Sequence, residues 1–316
     1  MRICSLLPGA TEVVAALGLA DDVVGVSHEC DYPPAMRHKP VLVTPVIDAE
    51  RSDSAEIDRQ VRNTLAEGER LYALDERLFA QAQPDLVITQ DLCQVCAVTP
   101  GQLEQAIQLL PKQPRLLTLN PSSLTDIIHD VERIGVATGQ TDKGATFAAS
   151  LRARLQAIRG QVSAGKTRPK VVCLEWLDPL YLGGHWVPEM VDWAGGRDML
   201  GTAGAPSTKV TWEQVQTAQP EVVIIMACGF SVERTLRELE AKPPQNRWPG
   251  WQDLPAVRQH RVYAVDAAAY FSRPGPRLVD GISILASLLH PELFPDREQP
   301  PPAQARRLDQ PTHRTA

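Results

Sequence analysis

Cys93-Gln94-Val95-Cys96 is the stretch of this chain whose residue types and spacing speak most directly of chemistry. Thiolates at i and i+3 can grip one soft metal ion. They can also exchange a disulfide where a helix N-terminus lowers their pKa, or carry no special role. No second Cys-x-x-Cys completes four ligands, but His28 and Cys30 sit at the end of another predicted strand. A Cys30, Cys93, Cys96 and His28 set for zinc or iron is therefore one expectation, beside a redox pair and an incidental pairing. His185 is the other candidate, in Leu182-Gly183-Gly184-His185-Trp186-Val187-Pro188. The two glycines let the backbone approach a partner closely, and Pro188 suits the first turn of a helix. His185 either meets a ligand, or a metal centre within one, or caps that helix.

Aromatic residues make up only 5% of the chain, yet they gather in predicted strand-end loops. These loops are Pro8–Thr11, Ser27–Pro34, Gln90–Val98, Glu175–Trp186, Ala227–Ser231 and Ala267–Arg277. They carry Tyr32, Trp176, Tyr181, Trp186, Phe230, Tyr270 and Phe271, with Pro8, His28, Gln90 and Arg273 beside them. Rings at strand ends suit stacking on a large, flat or partly apolar ligand. The plainer alternative is that they close the ends of the cores. No Gly-x-Ser-x-Gly elbow, His-Glu-x-x-His helix or phosphate loop occurs, so no catalytic residue is assigned and a non-enzymatic role is expected.

The elements that must position these loops are announced by a repeat. Ala82-Gln83-Pro84-Asp85 leads into Leu86-Val87-Ile88, and Ala218-Gln219-Pro220-Glu221 leads into Val222-Val223-Ile224. Each reads as a helix end, a proline stop, an acidic residue and an apolar strand. The fold class is therefore α/β, with two Rossmann-like lobes and a ligand cleft at their facing strand ends. The boundaries read from the pattern are a first lobe at 1–121, an interlobe helical segment at 122–164, a second lobe at 165–295 and a disordered tail at 296–316. Segment 122–164 is one long helix or two, with a possible break at Gly139. The tail is rich in Pro, Gln and Arg and lacks apolar periodicity. Residues 53–82 carry helical periodicity, at Ile57, Val61 and Leu65 and then at Leu74, Leu78 and Phe79.

At 316 residues the chain holds two ordinary domains, and its 43% apolar content can fill a core in each. A net charge of −6 argues against a nucleic-acid partner. No apolar run is long enough to insert in a membrane. Met1-Arg2 leads into a short strand rather than a secretory h-region. The sequence as it stands is thus expected to be cytoplasmic, or periplasmic if a leader has been removed. Cys4 and Cys173 lie in apolar strand runs and read as core residues.

These motifs resemble the class III periplasmic substrate-binding proteins of ABC importers, specifically the cobalamin (vitamin B12) binding branch. The residues that carry the resemblance are Leu7-Pro8-Gly9-Ala10-Thr11-Glu12, Val24-Gly25-Val26-Ser27, Asp31-Tyr32-Pro33-Pro34, the two Gln-Pro-acid entries, Trp212-Glu213-Gln214-Val215 and Arg273-Pro274-Gly275-Pro276-Arg277. They span roughly residues 2–290. The resemblance implies two lobes joined by one long helix, with a corrinoid held between them and no required cofactor. It puts Tyr181 at an aromatic position facing the ligand and Arg273 at a polar contact. It also implies an acidic residue in each lobe that docks on an ABC permease. Glu213 matches the second; the stretch matching the first is Gln90–Val98, where no acidic counterpart is assigned. The alternatives are a metal-binding or sensing protein using Cys30, Cys93, Cys96 and His28, an enzyme using the cysteines, and a siderophore or haem binder.

Overall fold

The computed structural model describes residues 1–90, 100–165, 167–294 and 300–308. The chain divides into two compact units. The first comprises Met1–Pro121, Thr125–Arg152 and Pro274–Pro276; the second comprises Ser122–Leu124, Ala153–Arg273 and Arg277–Ala316.

The first unit is built on strands β1 (Ile3–Ser5), β2 (Val23–Ser27), β3 (Val41–Pro45), β4 (Tyr72–Leu74), β5 (Leu86–Thr89) and β6 (Arg115–Thr118). Their order is β4-β3-β2-β1-β5-β6, parallel except for β4, which runs antiparallel to β3. The chain leaves β1 toward β2 and later returns to the other side of β1 as β5. That reversal makes the carboxyl end of the β1/β5 pair the topological switch point, where open α/β sheets bind ligands. Cys4 belongs to the core under this sheet with Leu42, Phe79, Val87 and Leu103. Burial pushes its thiol up to about 12, so Cys4 is an inert packing residue.

The second unit repeats the plan with β7 (Lys170–Leu177), β8 (Leu180–Leu182), β9 (Arg197–Asp198), β10 (Thr208–Lys209), β11 (Val222–Ile225), β12 (Val262–Val265) and β13 (Ala305–Arg307). The order is β10-β8-β7-β11-β12-β13, with β9 parallel to β7 as well. β7, β11 and β12 are parallel. β11 is wholly buried, which suits a β-branched run covered on both faces. Cys173 is buried in β7 with its pKa raised by burial. β9 lies on one side of β7 and β11 on the other, so the β7/β11 ends form the matching switch point.

The sequence repeat has a structural meaning. Helices Glu76–Ala82 and Trp212–Ala218 both end on a glutamine in the left-handed region, Gln83 at φ 41° and Gln219 at φ 45°. The acidic residue that follows then clasps the start of the unit's first strand. Asp85 N–H donates to Arg2 O (2.8 Å) and Arg2 N–H returns to Asp85 Oδ2 (3.0 Å). Glu221 N–H donates to Lys170 O (2.9 Å) and Lys170 N–H returns to Glu221 Oε2 (2.8 Å). Each repeat thus fixes the register of β5 on β1, or of β11 on β7.

One open choice is resolved and two expectations need correction. Segment 122–164 is two helices, Leu124–Ala137 and Thr141–Val162, with Gly139 at φ 73° between them. A glycine in the left-handed region just past a helix end is the usual stop. The two helices are pressed together where a Cβ on Gly135 would lie 2.9 Å from Gly144 Cα. The unit boundary falls within the second helix, between Arg152 and Ala153. Residues 53–82 are helices Ser54–Ala66 and Glu76–Ala82 with β4 between them. The tail is not wholly unstructured, because β13 pairs with β12 from Tyr263↔Arg307 to Val265↔Ala305.

Candidate functional site

In the first unit, the strand ends beside the switch point, those of β1 and β2, carry short polar side chains. Thr11 Oγ1 lies 2.8 Å from Ser5 Oγ, 2.9 Å from Leu7 O and 3.1 Å from Cys30 Sγ. Cys30 Sγ is 3.3 Å from Ser27 Oγ and 3.7 Å from Ser5 O. Ser5, Thr11, Ser27 and Cys30 are all buried. The cluster joins the ends of β1 and β2 to the first turn of helix Pro8–Ala16. Pro8 opens that helix and is half-buried. Gln90, one residue past β5, is buried. Gly9 admits a neighbour that no other residue would. A Cβ there would lie 2.0 Å from Pro274 O, and Gly275 fits against Gly9 in turn. Within the first unit, the Leu7–Glu12 motif and Pro274–Pro276 therefore meet through Gly9 and Gly275.

His28 and Tyr32 are exposed, with the His28 ring 5.8 Å from Tyr72. Cys30 faces inward while His28 faces out. Cys93 and Cys96 lie outside the described residues. Among the described residues no three His, Cys, Asp or Glu side chains form a group able to hold a metal. The expected zinc or iron set thus has no support.

In the second unit, three strand-end loops are stitched together by hydrogen bonds. Cys228 N–H donates to Glu175 O (2.9 Å), tying the loop after β11 to β7. Ala268 N–H donates to Phe230 O (3.1 Å), and Gly229 N–H to Ser272 Oγ (3.2 Å), tying it to the loop after β12. Trp186 Nε1–H donates to Phe271 O (2.8 Å). The rings sort by depth on this frame. Trp186, Phe230 and Phe271 are buried and close the end of the core. Trp176, Tyr181 and Tyr270 are half-buried.

Trp176 and Tyr181 face each other across the β7–β8 hairpin. The Trp176 ring meets Phe230 edge-on at 5.3 Å, and the Arg234 guanidinium sits 4.0 Å from the Phe230 ring centre. Lys209 Nζ is 5.6 Å from the Tyr181 ring centre. Each side of the hairpin thus has a cation against a ring, Lys209 at Tyr181 and Arg234 at the Phe230 ring that Trp176 meets. Beneath it, the Glu175 carboxyl accepts from Ser207 Oγ (2.9 Å) and Gly184 N–H (3.2 Å), and burial raises its pKa.

His185 stands in the left-handed region at φ 51° and is held by its N–H to Ala205 O (2.6 Å). Gly184 is needed beside it, because a Cβ there would lie 2.4 Å from Ser207 N. Burial lowers the His185 pKa, which keeps the imidazole neutral and able to donate a lone pair at neutral pH. Arg273 is half-buried and close enough to Asp266 to oppose the rise that burial imposes on that carboxyl. Tyr270 ends the turn Ala267–Tyr270, with Arg277 5.7 Å from its ring centre.

Glu213 lies apart from these loops. It is exposed on the first turn of helix Trp212–Ala218, which Thr211 and Gln214 cap reciprocally. Its own N–H and Thr211 hold its carboxyl below the ordinary range. Beside it is a surface pocket of about 310 Å³ lined by Met199, Leu200, Gln214 and Thr217. The adjacent Trp212 stacks on Trp248 at 5.3 Å. A cavity of about 450 Å³ near Leu239, Trp251 and Arg306 shares no residue with the strand-end loops. Sequence reasoning missed Glu175, Lys209, Arg234 and Ser272. Only Glu175 leaves a trace, as a charge inside an apolar strand run.

A family model described as periplasmic binding protein matches residues 3–269. The vitamin B12-binding protein of Vibrio cholerae serotype O1 is 26% identical over 290 residues, 91% of this chain and 88% of that protein. An uncharacterized ABC transporter substrate-binding lipoprotein of Bacillus subtilis is 26% identical over 302 residues, 93% and 81%. Among solved structures, the periplasmic vitamin B12 binding protein of Vibrio cholerae superposes with a TM-score of 0.66 at 23% identity, covering 93% of this chain and 98% of that one. A periplasmic haem-binding protein from Pseudomonas aeruginosa reaches 0.69 at 19% identity, covering 92% of each. These two structures establish likeness of fold. The names of these relatives speak of a lipoprotein and of periplasmic proteins, so the cytoplasmic expectation finds no support among them.

Proposed function

The chain belongs to the periplasmic binding protein family and is an ABC-type substrate-binding protein, and from that premise we propose that it captures a cobalamin-like corrinoid and presents it to an ABC permease. The observation that carries the reading is the half-buried Trp176–Tyr181 pair at the end of β7, cross-strand neighbours with Lys209 against Tyr181 and with Phe230, which carries Arg234, against Trp176. Flat rings offer stacking area to a macrocycle, while the cations suit polar amide and phosphate groups at its periphery. His185, neutral and beside this face in the chain, can serve as a ligand to cobalt. Arg273 and Tyr270 supply polar contacts from the loop after β12. Glu213 is the docking residue in this reading, exposed and ionised. The B12-binding relatives support the choice of ligand.

The test is calorimetric titration with cyanocobalamin, hydroxocobalamin and haem, with an absorbance spectrum of each mixture. One-to-one binding of both cobalamins is expected. Trp176→Ala should weaken it at least tenfold, because losing a buried aromatic contact exceeds about 1.4 kcal/mol. A spectral change with hydroxocobalamin alone, lost in His185→Ala, would identify the imidazole at cobalt. Binding of haem with no binding of either cobalamin would refute the reading.

A further inference from the structure

β13 runs antiparallel to β12, so the residue that enters it arrives at the carboxyl end of β12. That residue is Gln304, and it grips the Tyr270 loop twice. Its main-chain oxygen accepts from Asp266 N–H (2.9 Å), and its side-chain Nε2 donates to the Tyr270 hydroxyl (3.2 Å). Asp266 is the N-cap of the turn Ala267–Tyr270, accepting from Ala269 N–H (3.0 Å) on Oδ1, and Tyr270 is the last residue of that turn. One glutamine therefore holds both ends of a four-residue helix, a length far too short to be stable alone.

Three further contacts join the loop and the strap formed by residues 304–308 to their surroundings. Leu308 N–H donates to Val262 O (3.0 Å), closing the other end of the strap. Arg277 lies over the Tyr270 ring, and Ala268 N–H bonds the neighbouring Phe230 loop. None of the strap lies within residues 3–269, the part that the family model matches.

We propose that Gln304 is a positioning residue for ligand capture: its two bonds fix the orientation of the Tyr270 phenol, so affinity for a corrinoid depends on a side chain that never touches it. The inference rests on reading the strand-end loops of the second unit as the ligand face. The logic is entropic and directional. A half-buried phenol without a fixed donor samples other rotamers and pays for ordering when ligand binds. Gln304 removes that cost in advance and leaves the phenolic hydrogen free to donate outward.

Gln304→Leu keeps the main-chain bond and removes the donor. Expected is a 3- to 10-fold loss of cyanocobalamin affinity, the fold-change of about one hydrogen bond. In a Tyr270→Phe background the same substitution should change affinity less than about 2-fold, since the partner is already gone. An ultraviolet difference titration, with Tyr270→Phe as the blank, supplies a readout that simple destabilisation would not move. Gln304→Leu should shift the Tyr270 transition to higher pH, because a donor to the phenolate favours the charged form.

Equal affinity losses in both backgrounds, or an unmoved Tyr270 transition, would overturn the inference. If the parent protein binds cobalamin and Gln304→Leu binds it as tightly, the inference alone fails. If the parent binds none, the ligand reading fails and takes the inference with it.

Discussion

Gly9 offers the sharpest test of the packing described above. An ideal Cβ built on it would stand 2.0 Å from Pro274 O, 2.6 Å from Pro274 C and 3.1 Å from Gly275 Cα. A carbon and a carbonyl oxygen in contact keep about 3.3 Å, so Gly9→Ala must open a gap of about 1.3 Å. All three obstructing atoms are main chain, so no rotamer change relieves the clash. Inserting one extra carbon into a packed site costs about 1–3 kcal/mol. The absence of a side-chain escape puts this case near the top, at about 3 kcal/mol. For a unit of this size that lowers the melting temperature by roughly 6–12 °C. Gly160→Ala is the control, on the exposed face of helix Thr141–Val162 with nothing within 4 Å of its Cβ. There the methyl only restricts the unfolded chain and should add about 1 kcal/mol. Thermal melts of both variants by circular dichroism decide the matter. A Gly9→Ala transition within about 2 °C of the parent would refute the close approach of these two motifs.

Two further perturbations follow from buried charge. Burial raises the folded-state pKa of Glu175, so above the ordinary glutamate pKa the folded state holds a proton that the unfolded state has released, and stability falls as pH rises. Glu175→Gln removes that loss; the gap in melting temperature between variant and parent should widen in the variant's favour from pH 4.5 toward pH 7, and a constant gap would contradict the assignment. Glu238 and Arg247 pair at 3.4 Å with side chains only 7% and 9% exposed. Glu238→Ala should cost about 3–5 kcal/mol by stranding a buried guanidinium, while the double variant Glu238→Leu with Arg247→Met should recover most of it. Denaturant melts that fail to separate the single from the double variant would show that the pair is not coupled.

Much of the architecture is legible in the chain because it is written twice. Gln83 and Gln219 end their helices in the same left-handed conformation, and Asp85 and Glu221 clasp the same place in each sheet. The strand-end aromatics are legible because rings are scarce here and their clustering stands out. What fails to show has physical reasons. Leu71, Leu74 and Leu78 fit helical spacing, and a three-residue strand such as β4 is too short to impose a period of its own. β13 reads Ala305-Arg306-Arg307 and owes its place to main-chain bonds along one neighbour. Side-chain pattern carries no record of such an edge strand. Depth within a loop is also invisible. Phe230 and Trp176 look alike in the sequence, yet the first fills the core end and the second covers it.

The two sheets share a plan and differ in what stands at the strand ends beside their switch points, and this difference argues for an unequal division of labour. In the first unit Ser5 and Ser27 at the ends of β1 and β2, Thr11 on the helix after β1 and Cys30 just past β2 are buried and bonded to one another. Groups already satisfied in this way hold strand ends together and have little left to offer a ligand. In the second unit the end of β7 carries Trp176, and its hairpin partner carries Tyr181, both half-buried over a frame of hydrogen-bonded loops. Ring area that stays open on a rigid frame loses little entropy when it is covered, and such surface yields the most binding energy per residue. On the proposed function, the first unit's polar cluster acts through the fold and the second unit's aromatic face through the ligand. A substitution at Thr11 belongs in a stability assay, whereas one at Trp176 belongs in a binding assay.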